Sequence, residues 1–324
     1  MGVLLTQWVG SVTAALLRPV SGGAAWLRIF LVISLLASSG CAWLDTKQRR
    51  VIYRPTPGIP ADFAGLRRGD ERYFVDVPQT LAHDGDTDSA SGSAHRVEMW
   101  WLPHADKNAP TLLYFHGTFR TLFDNLRKID ALREAGFAVL AVDYRGWGLS
   151  TPITPSEQTI LRDAQTAWTE LQRREPRASQ RVLYGHSMGS GVAVDVASRL
   201  RAQTDYGALI LESAFTDFAD VAWEAGYLAR FLLIFNSERF DSLEKIARVD
   251  APLLMLHGNL DTTIPMRLGE KLFAAAHPPK QWITIEGGAH SDLDLVGHAQ
   301  YQAALQRFTH DYLQESAEGA NSAP

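Results

Sequence analysis

Over most of its length after residue 110 the chain alternates short apolar runs with helix-period patterns. TLLYF (111–115), AVLAV (138–142), RVLYG (181–185), ALILE (208–212), PLLML (252–256) and QWITI (281–285) are of buried-strand length and rich in aliphatic side chains. Between them, Ile160, Leu161, Ala164, Trp168 and Leu171 fall on one helical face. Just before, Thr154-Pro155-Ser156-Glu157 offers a capping box with proline at the first helical position. Strand-helix alternation of this kind predicts an α/β protein, with a mostly parallel central sheet and helices on both faces. In such sheets the working groups gather at the C-terminal ends of the strands.

The flanks read differently. Ile29 to Leu44 run without a charge, behind Arg18 and Arg28 and ahead of Asp45, Lys47, Arg49 and Arg50. Sixteen residues fall short of the roughly 20 that span a bilayer, but counting back through Ala24 and letting Arg28 snorkel reaches that length. A basic start, an apolar stretch and then small residues is also the layout of a secretory signal. Ala37-Ser38-Ser39-Gly40-Cys41 resembles the lipobox of bacterial lipoproteins, with Ser38 where that motif usually has leucine. The resemblance implies lipidation of Cys41; the alternative is an uncleaved signal anchor. Either reading, lipoprotein or signal-anchored, attaches the protein to a membrane, with a bacterial cell envelope as the expected location.

Residues 1–45 therefore read as a signal sequence or anchor and 46–70, with Pro55, Pro57, Gly58 and Pro60, as an extended linker. A domain over 71–314 follows, and a frayed tail over 315–324. Inside the domain, 83–95 is small and polar, a loop between short strands at Tyr73–Val77 and Val97–Leu102.

Charge and cysteine content remove whole classes of function. Lys and Arg total 31 against 36 Asp and Glu, a net of −5, so no overall positive field gathers nucleic acid. The one cysteine excludes an intrachain disulfide and any cysteine-built zinc or iron–sulfur site.

The candidate chemistry lies at the ends of the apolar runs. RVLYG leads into Gly185-His186-Ser187-Met188-Gly189 and then an apolar helix pattern. A serine in a sharp strand-to-helix turn tolerates only small neighbours two residues either side, which is the nucleophile-elbow arrangement. A serine hydroxyl needs a base to take its proton and a third group to orient that base. PLLML ends in His257-Gly258-Asn259-Leu260-Asp261 and QWITI in Gly287-Gly288-Ala289-His290. His290 is the base candidate and Asp261 the acid, with Glu212 and Asp217 as alternative acids. His298 and His310 lie on the last helix pattern, and His277 precedes two prolines, so these read as surface or packing histidines. Acyl transfer also needs two backbone N–H groups on the developing oxyanion. Met188 supplies one by position and Thr118, after His116-Gly117, the other. No metal or organic cofactor enters this chemistry.

GHSMG with LHGNLDTTIP and GGAH resembles the α/β-hydrolase superfamily. VIYRPTP (51–57), VEMWWLP (97–103), YFHG (114–117), VDYRGWGLS (142–150), LESAFTD (211–217), RFDSLEKI (239–246) and LGEKLFAAAHPPK (268–280) narrow the likeness to its membrane-anchored branch of lysophospholipid lipases and protein depalmitoylases. Asn259 stands where many members have Asp, and the 83–95 insert has no counterpart. The resemblance implies an α/β-hydrolase fold with a short lid at about 217–250, a segment that holds Trp223, Tyr227, Phe231 and Phe240. It also implies a bracing role for Asp143-Tyr144-Arg145-Gly146. The expected activity is ester or thioester hydrolysis on a small-molecule or lipid-like acyl substrate. An aminopeptidase or amidase, or a non-catalytic binding protein on this fold, is the alternative.

Overall fold

The structure, a computed structural model, describes residue 30 and residues 43–78, 94–118, 120–227 and 238–314. The chain forms two units, Met1–Lys47 and Gln48–Pro324, and every strand below belongs to the second. Cys41, the anchor segment apart from its ends, residues 83–93 of the 83–95 insert, lid residues 228–237 and the tail lie outside the described residues.

Eight strands form one sheet in the order β1-β2-β4-β3-β5-β6-β7-β8. They are β1 (Glu71–Asp76), β2 (Arg96–Leu102), β3 (Thr111–Phe115), β4 (Ala138–Asp143), β5 (Arg181–His186), β6 (Ala208–Glu212), β7 (Leu253–Gly258) and β8 (Lys280–Ile285). β1 and β2 pair antiparallel and β2 lies antiparallel to β4; from β4 through β8 all pairs are parallel.

The continuous apolar runs follow from that topology. Along β3, β4 and β5, Leu113, Phe115, Leu140, Val142 and Leu183 enter one core layer, and Leu112, Tyr114, Val139, Ala141, Val182 and Tyr184 enter the other. Helices α1 (Leu122–Glu134) and α8 (His298–Thr309) cover the second layer with Leu122, Ile129, Leu132, Tyr301, Leu305 and Phe308. Helices α2 (Glu157–Arg174) and α3 (Met188–Ala197) cover the first, and the face expected over residues 160–171 is the one α2 buries. Further helices are α4 (Phe218–Ala225), α5 (Ser242–Ile246), α6 (Met266–Ala275) and α7 (Leu293–Val296).

Two local expectations shift. The α2 cap is Ser156 rather than Thr154: the Ser156 hydroxyl accepts from the Thr159 amide at 3.1 Å, while the Thr154 hydroxyl accepts from Arg50 Nε at 3.3 Å. The stretch expected as an extended linker opens with helical residues 48–53, and Tyr53 is fully buried. Its ring packs edge-on against Trp147 and Phe240, each at 6.4 Å, and its hydroxyl donates to Glu238. A proline-rich stretch therefore contributes a core residue.

Candidate active site

Ser187 stands between the last residue of β5 and the first of α3 with φ 56° and ψ −125°, in a region side chains rarely enter. Its neighbours permit this because they lack side chains. A Cβ on Gly185 would overlap the Gly189 carbonyl, and one on Gly189 would overlap the Phe115 carbonyl. A Cβ on Gly117 would lie 2.9 Å from that of Ser187. The Ser187 amide donates to the Glu212 carbonyl at 3.0 Å, and the Ser190 amide and hydroxyl donate to the Ser187 carbonyl at 2.8 and 2.6 Å. The turn is thus braced from β6 and from within α3, and strain of a kind that costs about 1–3 kcal/mol is held at one residue.

Loops after β7 and β8 bring the two partners. His290 Nε2 lies 2.9 Å from Ser187 Oγ, and His290 Nδ1 lies 2.8 Å from Asp261 Oδ2. Asp261 Oδ1 accepts from the amides of Thr263 and Ile264 at 2.9 and 2.8 Å. Burial would raise the Asp261 carboxyl, but hydrogen bonds from His257 and His290 and from the Ile264 amide outweigh it and hold the group well below the usual carboxylate range. It is therefore ionised at neutral pH. A carboxylate on Nδ1 favours the tautomer with its proton there, which leaves the Nε2 lone pair facing the serine hydroxyl.

The profile described as serine aminopeptidase, S33, matches residues 106–244. Over 290 residues the chain is 31% identical to "Uncharacterized protein Rv2307c" of Mycobacterium tuberculosis, covering 87% of this chain and 94% of that one. Over 301 residues it is 32% identical to lysophosphatidylserine lipase ABHD12 of Rattus norvegicus, covering 80% of this chain and 75% of that one. The chain belongs to the α/β-hydrolase family of serine hydrolases. An esterase of Pyrococcus furiosus, Pf2001, superposes on this hydrolase with a TM-score of 0.60 at 14% identity, covering 80% of this chain and 98% of that one, which is a likeness of fold.

The hydrolase holds His290 by more than its ring. The His290 carbonyl accepts from His186 Nε2 at 2.9 Å and from Ser213 Oγ at 3.1 Å. Burial, reinforced by the charges of Lys128 and His290, pushes His186 well below the ordinary histidine range, so it is neutral and its one ring proton is available for that bond. Neither residue stood out in the sequence. His186 is inside the elbow motif, and Ser213, with φ 49°, follows β6 without any local marker. Asn259 ties the two loops together: its Oδ1 accepts from the Gly287 amide at 2.8 Å and its Nδ2 donates to Glu286. That is the use this chain makes of Asn at the position noted above.

Glu212 does not reach the histidine. Its carboxylate is fully buried between Lys128, Tyr184 and Tyr301, with the Tyr301 hydroxyl at 3.1 Å. Asp217 caps α4, accepting from the Asp220 amide at 2.6 Å. His116 is fully buried, with Nδ1 2.6 Å from the Gly117 carbonyl, and burial pushes it down to about 4, against that backbone bond and the Asp124 charge. Asp143, Tyr144 and Arg145 are fully buried, and Arg145 Nε pairs with Asp163 at 2.7 Å, in keeping with a bracing turn. Met188 begins α3, where first-turn amides have no intrahelical partner, and Thr118 is half-buried one residue past Gly117. A cleft of about 870 Å³ opens beside α1 and α7, lined by Leu126, Arg127, Asp294 and Leu295 among others. None of Ser187, Asp261 and His290 borders it.

Proposed function

We propose that this α/β-hydrolase cleaves carboxylic ester or thioester bonds in lipid-like acyl substrates through an acyl-enzyme. The observation that carries the reading is the unbroken relay from Ser187 Oγ through His290 to Asp261, at 2.9 and 2.8 Å. Ser187 attacks the acyl carbonyl carbon while His290 Nε2 takes its proton. The Met188 and Thr118 amides receive the charge that develops on the carbonyl oxygen. The imidazolium, stabilised by ionised Asp261, then protonates the leaving alcohol or thiol. Water, deprotonated by the same Nε2, releases the acid and restores Ser187. No step calls for a metal or organic cofactor.

Support for an apolar acyl group comes from the loops that follow the strand ends. Trp223, Tyr227, Leu260, Leu295 and Val296 are exposed by 49% or more on the segments after β6, β7 and β8. Side chains of this size left in water near a site mark a surface for an apolar partner. The rat relative is by name a lipase of an acylated phospholipid. The S33 description favours a second reading, an aminopeptidase. Such an enzyme needs a carboxylate for the substrate's amino group, and the two on α4 are engaged. Asp220 accepts from Thr216 at 2.6 Å and pairs with Lys271 at 3.0 Å, and Glu224 pairs with Arg267.

Ser187→Ala should abolish both fluorophosphonate labelling and hydrolysis of p-nitrophenyl esters, a loss of about 10⁶ in kcat. Labelling retained in that variant would remove Ser187 from the mechanism. A series of esters of rising acyl length, set beside aminoacyl anilides, separates the two readings: faster anilide cleavage would favour the peptidase. Membrane attachment through residues 24–44, by a lipidated Cys41 or an uncleaved anchor, is part of the proposal and rests on sequence; among the described residues no helix is long and apolar enough to cross a membrane. Recovery of the full-length protein in a detergent-free soluble fraction would refute it.

A further inference from the structure

The loop that carries His290 is gripped from a second side, by α1. Arg127 pairs through Nη1 with Asp294 and donates from Nη2 to the Ser291 carbonyl at 3.2 Å. One guanidinium thus holds both α7 and the residue next to the base. The Asp294 side chain is 2% exposed and takes a second cation from the next residue of α1, Lys128 Nζ at 3.3 Å. The helix that reaches across is itself fixed. The Leu122 amide at its start donates to Asp143 Oδ1 at 3.0 Å, and Leu122, Ile129 and Leu132 lie in the core. α1 also begins where the loop bearing Thr118 ends, with Thr121 at its N-cap. A single anchored element therefore borders the oxyanion loop at one end and grips the base loop along its side.

We propose that Arg127 is a positioning residue, which fixes the backbone after His290 so that Nε2 stays within reach of Ser187 Oγ. The assignment rests on the Ser187–His290 relay, and on the ester-hydrolysis reading only for one of its assays. The His290 carbonyl is already held by His186 and Ser213, at 2.9 and 3.1 Å. One held carbonyl leaves the chain free to swivel about it. A second, on the next residue and reached from a different element, removes that freedom and sets the direction in which the His290 side chain leaves the backbone. The task suits the planar fork of arginine, which presents two nitrogens to two acceptors at once, where lysine offers a single point charge. Stability does not account for the contact. The Arg127 side chain is 49% exposed, and ion pairs so exposed add little to folding. A misplacement of about 1 Å in the catalytic geometry, by contrast, can cost about 100-fold in rate.

The test uses the full chain and two readouts that share Ser187 and His290: the rate of fluorophosphonate labelling and the hydrolysis of a short p-nitrophenyl ester. Both are expressed per labelled site, so unfolded protein drops out. Arg127→Ala should lower the labelling rate and kcat by about 10- to 100-fold, with KM within about two-fold and the urea midpoint nearly unmoved. Arg127→Lys keeps a charge opposite Asp294 and should fold like wild type, yet stay at least about five-fold slower. Arg67→Gln breaks an exposed pair with Asp130 on the wall of the same cleft and should change neither rate. Arg127 and Asp294 both line that cleft, so guanidinium ion added from solution can reach the place left by Arg127→Ala. At concentrations below those that unfold the protein it should raise kcat of that variant along a saturating curve, which sodium chloride at equal ionic strength does not reproduce. Both rates of Arg127→Ala within about two-fold of wild type would overturn the assignment. A loss shared by the urea midpoint and left unrestored by guanidinium would overturn it too, since Arg127 would then be a contact of the fold alone. If the protein labels at Ser187 but cleaves no ester, the ester reading fails, and the labelling rates still decide the role of Arg127.

Discussion

Replacing Asp261 by Asn tests the relay at its most informative point, because the structure dictates how the amide must turn. Oδ1 is held by two donors, the amides of Thr263 and Ile264 at 2.9 and 2.8 Å. An NH₂ group cannot accept from them, so in Asp261→Asn the remaining oxygen stays on the amides and the new NH₂ faces His290 Nδ1. A donor there favours the imidazole tautomer with its proton on Nε2, the atom 2.9 Å from Ser187 Oγ. That nitrogen then offers an N–H where the mechanism needs a lone pair. The expected loss is about 10⁴ in kcat, or about 5 kcal/mol at 1.36 kcal/mol per decade, with KM changed little. Glu212→Gln is the control. It removes the nearer of the two carboxylates that offset buried Lys128, the other being Asp294 at 3.3 Å, and should cost about 3 kcal/mol in stability, yet change kcat less than ten-fold. Steady-state kinetics on a short p-nitrophenyl ester, with ¹⁵N NMR of the His290 ring to read the tautomer, measures both. Asp261→Asn keeping more than a tenth of wild-type kcat, or Glu212→Gln losing more than Asp261→Asn, would refute the assignment.

Gly189→Ala forces a Cβ into the Phe115 carbonyl oxygen, so the elbow cannot close and fluorophosphonate labelling should fall at least 100-fold; labelling at the wild-type rate would show the turn to be tolerant. His116 is pushed down to about 4 in the folded protein against about 6.5 in the unfolded chain. Below pH 6.5 the unfolded chain therefore takes up a proton that the folded one refuses. The contribution of His116 to stability is complete above pH 6.5 and falls by up to about 3 kcal/mol on the way to pH 4. Urea midpoints from pH 7.5 to 4.5 should show the advantage of wild type over His116→Gln shrinking as pH falls, and parallel curves would count against it.

Why Ser187, Asp261 and His290 were legible while their supports were not comes down to where each lies relative to strand period. Each of the three follows an apolar run, and in a parallel sheet all such ends share one edge, so chain order alone brings them together. His186 and Ser213 act through a carbonyl, a partner every residue offers, so side-chain identity carries no signal of their use. Tyr53 was hidden because prolines at 55, 57 and 60 mask the helical residues before them. The arginines at 173, 174, 177 and 181 look like a solvated cluster, yet Arg181 is buried and the others pair with Glu170, Glu175 and Glu71, which lie too close in sequence or too far away to be noticed together. Glu212 is the instructive case, since residue type and chain order made it as eligible an acid as Asp261. What separates them is period two. Ala208, Ile210 and Glu212 share a face of β6, and the first two enter the layer covered by α1 and α8, so the carboxylate is delivered beneath the sheet to Lys128, Tyr184 and Tyr301. Asp261 stands three residues beyond the end of β7, where pleat parity no longer dictates direction and the backbone amides of 263 and 264 can aim the carboxylate at His290. Alternation within the strand could therefore have excluded Glu212, but only a folded loop could select Asp261.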